Sequence, residues 1–150
     1  MTKPIPDGSH TITMHLILSP AAEAMAFYTK AFGAETLAQM PTPDGKIMHA
    51  MMKIGDSQLM LNDPMMGGKS PKELGGTNAT VHLYVEDADA VYNRAIEAGA
   101  TVLMPIEDAF WGDRYGMVVD PFGQQWAIAT HQEDVSPEEM GARAAKLFGG

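Results

Sequence analysis

An α+β fold made of two tandem βαβββ modules is what this sequence predicts, on three observations. Thr13-Met14-His15-Leu16-Ile17-Leu18, an Ala-rich helical stretch and Gly33-Ala34-Glu35-Thr36-Leu37 return as Thr80-Val81-His82-Leu83-Tyr84-Val85, a second helical stretch and Gly99-Ala100-Thr101-Val102-Leu103. Further strand-like runs follow each copy. The 150 residues amount to a single domain. A unit that cannot bury its own apolar face pairs with its copy, so the groove between the halves is the natural place for a ligand.

The first module spans residues 9–63. Thr11 to Leu18 has strand composition between turn signals. Ser19 as N-cap and Pro20 at the first helical position open a helix in which Met25, Tyr28 and Phe32 recur at helical spacing up to Gly33. Glu35 to Met40 makes the second strand. Ile47 to Ile54 and Ser57 to Leu61, split by Gly55-Asp56, read as a hairpin. A glycine-rich linker over 64–78 has a tip suited to covering a pocket.

The second module, 79–131, repeats the pattern. Its strand Ala79 to Val85 leads to a helix from Asp87 or Ala88 to Ala98, then Thr101 to Met104, a loop to Asp113, Tyr115 to Val119, and Trp126 to Thr130. Ser136, Pro137 and Glu139 then form a capping box that opens a C-terminal helix over 136–148. That helix lies outside both copies, which suits an extra packing or dimer role.

Composition narrows the function classes. With no cysteine, thiol catalysis, zinc–thiolate sites and iron–sulfur ligation are excluded, and a reducing compartment fits. The first residues lack the apolar core of a signal peptide and no stretch reaches the length of a membrane span, so the expectation is a cytoplasmic protein without a membrane partner. The net charge is −9 and the ten Lys and Arg residues are scattered, which argues against nucleic acid. Met48, Met51, Met52, Met60, Met65 and Met66 cluster in the first half. They read as adaptable core filler, or as a plastic apolar pocket wall. No nucleophile stands beside a base, and Gly67-Gly68-Lys69-Ser70 lacks the spacing of a phosphate-binding loop.

Strand alternation selects the groove residues. Met14, Leu16 and Leu18, with Val81, Leu83 and Val85, form the wholly apolar face that meets the helices. Thr13, His15, Thr80, His82 and Tyr84 then face the groove, with Gln125, Ala127 and Ala129 from the last strand, while Trp126 and Ile128 pack inward. Glu107, Asp108 and Asp113 read as solvated loop carboxylates, and His10 and His131 as surface residues at strand ends.

Phe27-Tyr28-Thr29-Lys30-Ala31-Phe32-Gly33-Ala34, Lys46-Ile47-Met48-His49-Ala50, Phe110-Trp111-Gly112-Asp113-Arg114-Tyr115-Gly116 and Asp120-Pro121-Phe122-Gly123 together resemble the vicinal oxygen chelate superfamily of glyoxalases, extradiol dioxygenases and bleomycin-resistance proteins. Within it the chain is most similar to the PhnB-like branch. The resemblance covers nearly the whole chain and implies paired βαβββ modules in a cupped mixed sheet with helices outside, assembled as a homodimer. It also implies a divalent metal held by His, Gln or Glu on the central strands. Aligned on the family pattern, those positions fall at Thr13, about Met60, Thr80 and Ala127, none of them a normal ligand. The candidate displaced metal ligands are His15 and His82, joined by His49.

The resemblance further implies that Trp111 and Arg114, flanking Gly112, line a ligand groove by stacking and ion pairing. The competing reading ties Arg114 to Asp113 or Asp120 and places Trp111 as a plug in the dimer interface. The expected function is binding or sequestration of a small, partly apolar molecule by His15, Met60, His82, Tyr84, Trp111, Arg114 and Gln125, with no cofactor. The alternative is a metal-dependent lyase, isomerase or dioxygenase using His15 and His82.

Overall fold

Each repeat folds as a four-stranded mixed sheet with one helix on its apolar face in the computed structural model, which describes residues 1–149. The first module comprises β1 (Met14–Ile17), α1 (Ala21–Phe32), β2 (Glu35–Pro41), β3 (Ile47–Ile54) and β4 (Ser57–Asn62). After a short α2 (Pro71–Leu74), the second comprises β5 (Thr80–Tyr84), α3 (Ala88–Ala98), β6 (Thr101–Asp108), β7 (Asp113–Val119) and β8 (Gln125–His131). The C-terminal helix α4 is Pro137–Leu147. Strand orders β1-β4-β3-β2 and β5-β8-β7-β6 correspond position for position, with β1/β4 and β5/β8 the parallel pairs. The α+β class and the tandem βαβββ plan stand as the sequence predicts.

The modules join through α1, which packs on α3. Ala21, Ala24, Met25, Phe27, Tyr28, Ala31 and Phe32 are buried along one side of α1, the spacing of a core-facing helix. Gly33 ends it in the left-handed conformation that glycine adopts without a Cβ penalty (φ 68°). The rings of α1 reach into the other module, since Trp126 of β8 lies 4.5 Å from Phe32 and 4.9 Å from Tyr28 by ring centroids. Trp126 is fully buried. Such ring pairs contribute about 0.5–1.5 kcal/mol beyond area burial.

Asp120 closes the same seam. One carboxylate oxygen accepts from Tyr28 Oη (2.5 Å) and Trp126 Nε1 (2.9 Å); the other accepts from the backbone N–H groups of Phe122 and Gln124, both at 2.9 Å. Burial pushes the Asp120 carboxyl up from its ordinary value, against the pull of those four donors. Burial and then the Asp120 charge raise the Tyr28 phenol well above its usual range, so it stays a donor.

Several boundaries differ from the sequence reading. Pro20, not Ser19, is the N-cap of α1 and offers no side-chain acceptor; Asp63 supplies one, accepting from Ala21 N–H at 3.0 Å and Ile47 N–H at 2.7 Å. Strand β1 begins at Met14 rather than Thr11. Strand β6 continues through Pro105 to Asp108, tolerated because β6 is an edge strand with a register shift between Met104 and Glu107. Part of the linker is helical: Ser70 and Glu73 complete a capping box for α2, with Ser70 and Pro71 buried. At α4 only half of the expected box forms. Ser136 accepts from Glu139 N–H, while the Glu139 carboxylate turns to Arg143.

Gly116 of β7 lies where α3 crosses the second sheet. A Cβ there would stand 2.8 Å from Tyr92 Cε2 and 2.9 Å from Ile106 Cα. Gly116→Ala is therefore expected to cost about 1–3 kcal/mol through overpacking. Urea denaturation reads this, and a loss under about 0.5 kcal/mol would show that the seam yields freely. No helix among the described residues is long and apolar enough to cross a membrane.

Candidate functional site

The solvent face of the second sheet carries a patch of rings. Strand β8 lies between β5 and β7, and its Ala127 and Ala129 are paired in register with His82 and Tyr84 on one side and with Met117 and Tyr115 on the other. Two methyl groups in the central strand leave room for larger neighbours to lean over them. Ala127 and Ala129 are accordingly buried, and His82 stands 4.6 Å from Tyr84 and 5.9 Å from Tyr115 by ring centroids. Trp111 meets Tyr115 edge-on at 5.1 Å. His82 and Tyr84 are exposed, while Trp111 and Tyr115 are half-buried.

Asp113 organises these rings. Its side chain is 2% exposed and accepts from Tyr84 Oη (3.2 Å), Trp111 Nε1 (3.1 Å) and His131 Nδ1 (2.7 Å). The polar edges of Tyr84 and Trp111 are thereby turned toward one carboxylate. The Asp113 charge raises the Tyr84 phenol above its usual value. Asp113 is thus no solvated loop carboxylate, because β7 begins at Asp113 and alternation carries it to the same face as Tyr115 and Met117.

The same alternation removes Arg114 from the groove. It projects to the helix face, where it bonds Asp89 of α3 at 3.1 Å through two nitrogens and Asp108 of β6 at 3.3 Å. The sequence readings of Arg114 are corrected accordingly: its guanidinium points away from the ring-lined face, and it ties neither Asp113 nor Asp120. The loop before β7 is held instead by its backbone and by α4. Gly112 adopts φ 102°, and a Cβ there would stand 2.4 Å from Glu133 O. Arg143 donates to Phe110 O, and Phe110 packs against Trp111 at 5.1 Å and Phe148 at 6.0 Å. The C-terminal helix therefore braces the Trp111 loop.

His131 is also more than a surface residue. Its two ring nitrogens donate to Asp113 and Asp134, both at 2.7 Å. The Asp134 bond, then the Asp113 bond, raise its pKa above the ordinary 6.5. A raised folded value means that the stabilising increment is complete below the unfolded pKa and fades as pH rises through the folded one. The expected histidine NMR titration of His131 has a midpoint above the free imidazole value that drops in Asp134→Asn. A midpoint at or below the free value would contradict the double bond to carboxylates.

The remaining predicted residues lie elsewhere. Gln125 pairs with Thr80 at the far end of β8, accepting its hydroxyl at 3.2 Å. His15 donates to Asn62 on the first sheet. Thr13, His49, Met51 and Met60 line a recess of about 610 Å³ in the first module, with His10 and the N-terminal segment from Pro4. A second cavity of about 580 Å³ lies between the modules, lined by Met14, Phe32 and Leu59 on one side and Val81 to Val85 on the other.

The residues at the resemblance's metal positions do not fit a divalent ion. Thr13 and Thr80 offer neutral hydroxyls, Met60 a thioether and Ala127 a methyl group, with Ala127 buried beside His82. The displaced set of His15, His82 and His49 is not assembled: among the described residues no three His, Cys, Asp or Glu side chains are placed to hold an ion. His131 has both nitrogens engaged and Asp113 has three donors. The rings present faces on which a flat molecule can stack.

Comparison with known proteins agrees with the architecture. The family described as Glyoxalase/Bleomycin resistance protein/Dioxygenase superfamily matches residues 10–128. An uncharacterised protein of Mycobacterium tuberculosis H37Rv is 48% identical over 136 residues, covering 87% of this chain and 80% of its own. The crystal structure of PA1353 from Pseudomonas aeruginosa aligns with TM-score 0.67 and 28% identity over 83% of this chain and all of that one. A PhnB protein from Bacillus cereus shares the fold, with TM-score 0.60 and 22% identity over 81% of this chain and 99% of that one.

Proposed function

Because this chain belongs to the glyoxalase/bleomycin resistance protein/dioxygenase superfamily, we propose that it binds or sequesters a small, planar, partly apolar molecule on the ring-lined face of its second sheet. One observation carries this reading: His82, Tyr84, Trp111 and Tyr115 gather over two alanines, with the polar edges of two of them fixed on buried Asp113. Flat ligands stack on such rings at low entropic cost, because the rings are already held. The cavity along β5 adds an apolar flank that His82 and Tyr84 also line. The protein works in this reading without a resident metal at the family's usual strand positions.

The working unit is a homodimer. Edge strands β2 and β6 expose Leu37 and Met40, and Val102, Leu103 and Met104, in the equivalent places of the two modules. Open edges with apolar side chains are what a second copy covers.

Thermal-shift screening of planar aromatic metabolites and drugs tests the binding reading, since a ligand of the folded state raises the melting temperature. Hits lost in Trp111→Ala support it, and hits unaffected by Trp111→Ala and His82→Ala overturn it. Titration with zinc, nickel, manganese and ferrous iron in the same assay is expected to give no stoichiometric shift. A shift abolished by removing His15 and His82 would favour the metal-dependent enzyme. Sedimentation tests the dimer.

A further inference from the structure

We propose that the ring-lined face selects planar organic cations, such as N-alkylated heteroaromatics, over neutral or anionic molecules of the same shape. The inference rests on the binding reading above and adds the charge of the ligand. Tyr84 and Trp111 donate their polar hydrogens to one carboxylate, which pushes electron density into both ring systems. The ring faces left to a ligand are therefore richer than those of free phenol or indole, and the attraction of a cation to a ring face scales with that density.

The charges around the patch point the same way. Asp113 sits at its edge, and Glu107 is paired in register with Tyr115. Module two, 79–131, has eight carboxylates and two arginines, so it carries −6 of the chain's −9. It contains no lysine. Both arginines are committed elsewhere: Arg94 to the Lys30 carbonyl, Arg114 to Asp89 and Asp108 on the opposite face. Arg143, behind the Trp111 loop, is held by Glu133 and Glu139. Of the two histidines in module two, His131 lies between Asp113 and Asp134, and His82 is itself one of the patch rings. An anionic ligand would thus meet carboxylates that no guanidinium or ammonium group of module two is free to offset, whereas a cation gains from both rings and field.

Three probes of one shape test this at neutral pH: N-methylquinolinium, quinoline and 1-naphthoate. Their affinities are read by tryptophan fluorescence and calorimetry, and the site by aromatic NMR. The cation is expected to bind about tenfold more tightly than quinoline, with naphthoate weakest and the preference shrinking as salt rises. Asp113→Asn and the exposed Glu107→Gln are each expected to reduce the preference, Glu107→Gln leaving quinoline affinity unchanged. Equal affinities for all three probes, lost together in Trp111→Ala, would overturn the charge selection and leave the binding site standing. Binding of none of them, or binding indifferent to Trp111→Ala, would overturn both.

Discussion

Asp120→Ala is expected to cost about 3–5 kcal/mol, more than Gly116→Ala or Tyr28→Phe. The carboxylate is 4% exposed and satisfies four donors, two of them side chains from different modules. Without it the Tyr28 hydroxyl and the Trp126 indole N–H are stranded in a packed aromatic seam that water cannot enter freely. A buried donor left without a partner costs about 1–3 kcal/mol, and a domain of this size has only about 5–15 kcal/mol in total. Tyr28→Phe removes one donor while leaving the acceptor served by three others, so its expected cost is near 1 kcal/mol. Urea denaturation of the three proteins measures both values. A loss under about 1 kcal/mol for Asp120→Ala would mean that ring packing alone holds the modules together.

Asp113→Ala has the largest expected effect on binding. Tyr84 and Trp111 lie close enough to solvent to find water as a partner, so the protein should stay folded while the rings lose their fixed orientation. Affinity for a planar probe then falls at least about tenfold, because ordering the rings must accompany binding. Arg114→Ala is the matched control. Its side chain lies on the opposite face of β7, so probe affinity should change by less than about twofold while the ties to Asp89 and Asp108 are lost. Calorimetry with both variants checks the pair, and equal losses would mean that the two faces of the sheet are coupled.

The architecture was legible because it is written twice. Matching strand, helix and glycine signals at Thr13–Leu37 and Thr80–Leu103 set the modules, and alternation put His82, Tyr84 and Ala127 on one face, where they lie. The site was legible only in part, and the start of one strand decided which part. A strand β7 that begins at Tyr115 places Asp113 in a solvated loop and points Arg114 with Trp111. Beginning it at Asp113 puts Asp113, Tyr115 and Met117 on the ligand face and Arg114, Gly116 and Val118 against α3.

Two other misses, the cap of α1 and the role of His131, had causes that local sequence does not carry. Asp63 caps α1 from 42 residues away, so the Ser19-Pro20 signal pointed to the wrong acceptor. His131 gained its role from Asp113 across the sheet, a partner 18 residues distant. Tyr115 had a readable signal, two positions beyond Asp113 on a strand, and needed only the correct boundary. The Ser70-Pro71-Lys72-Glu73 box was readable too, with the same Ser-Pro opening that marks α4.

Aromatic proton–carbon NMR during titration with a planar fragment library tests the central claim most directly. Shifts are expected to concentrate on His82, Tyr84, Trp111 and Tyr115 and to vanish in Trp111→Ala. Shifts confined to His15, His49 and the recess around Met60, with the four rings of the second sheet unmoved, would contradict it.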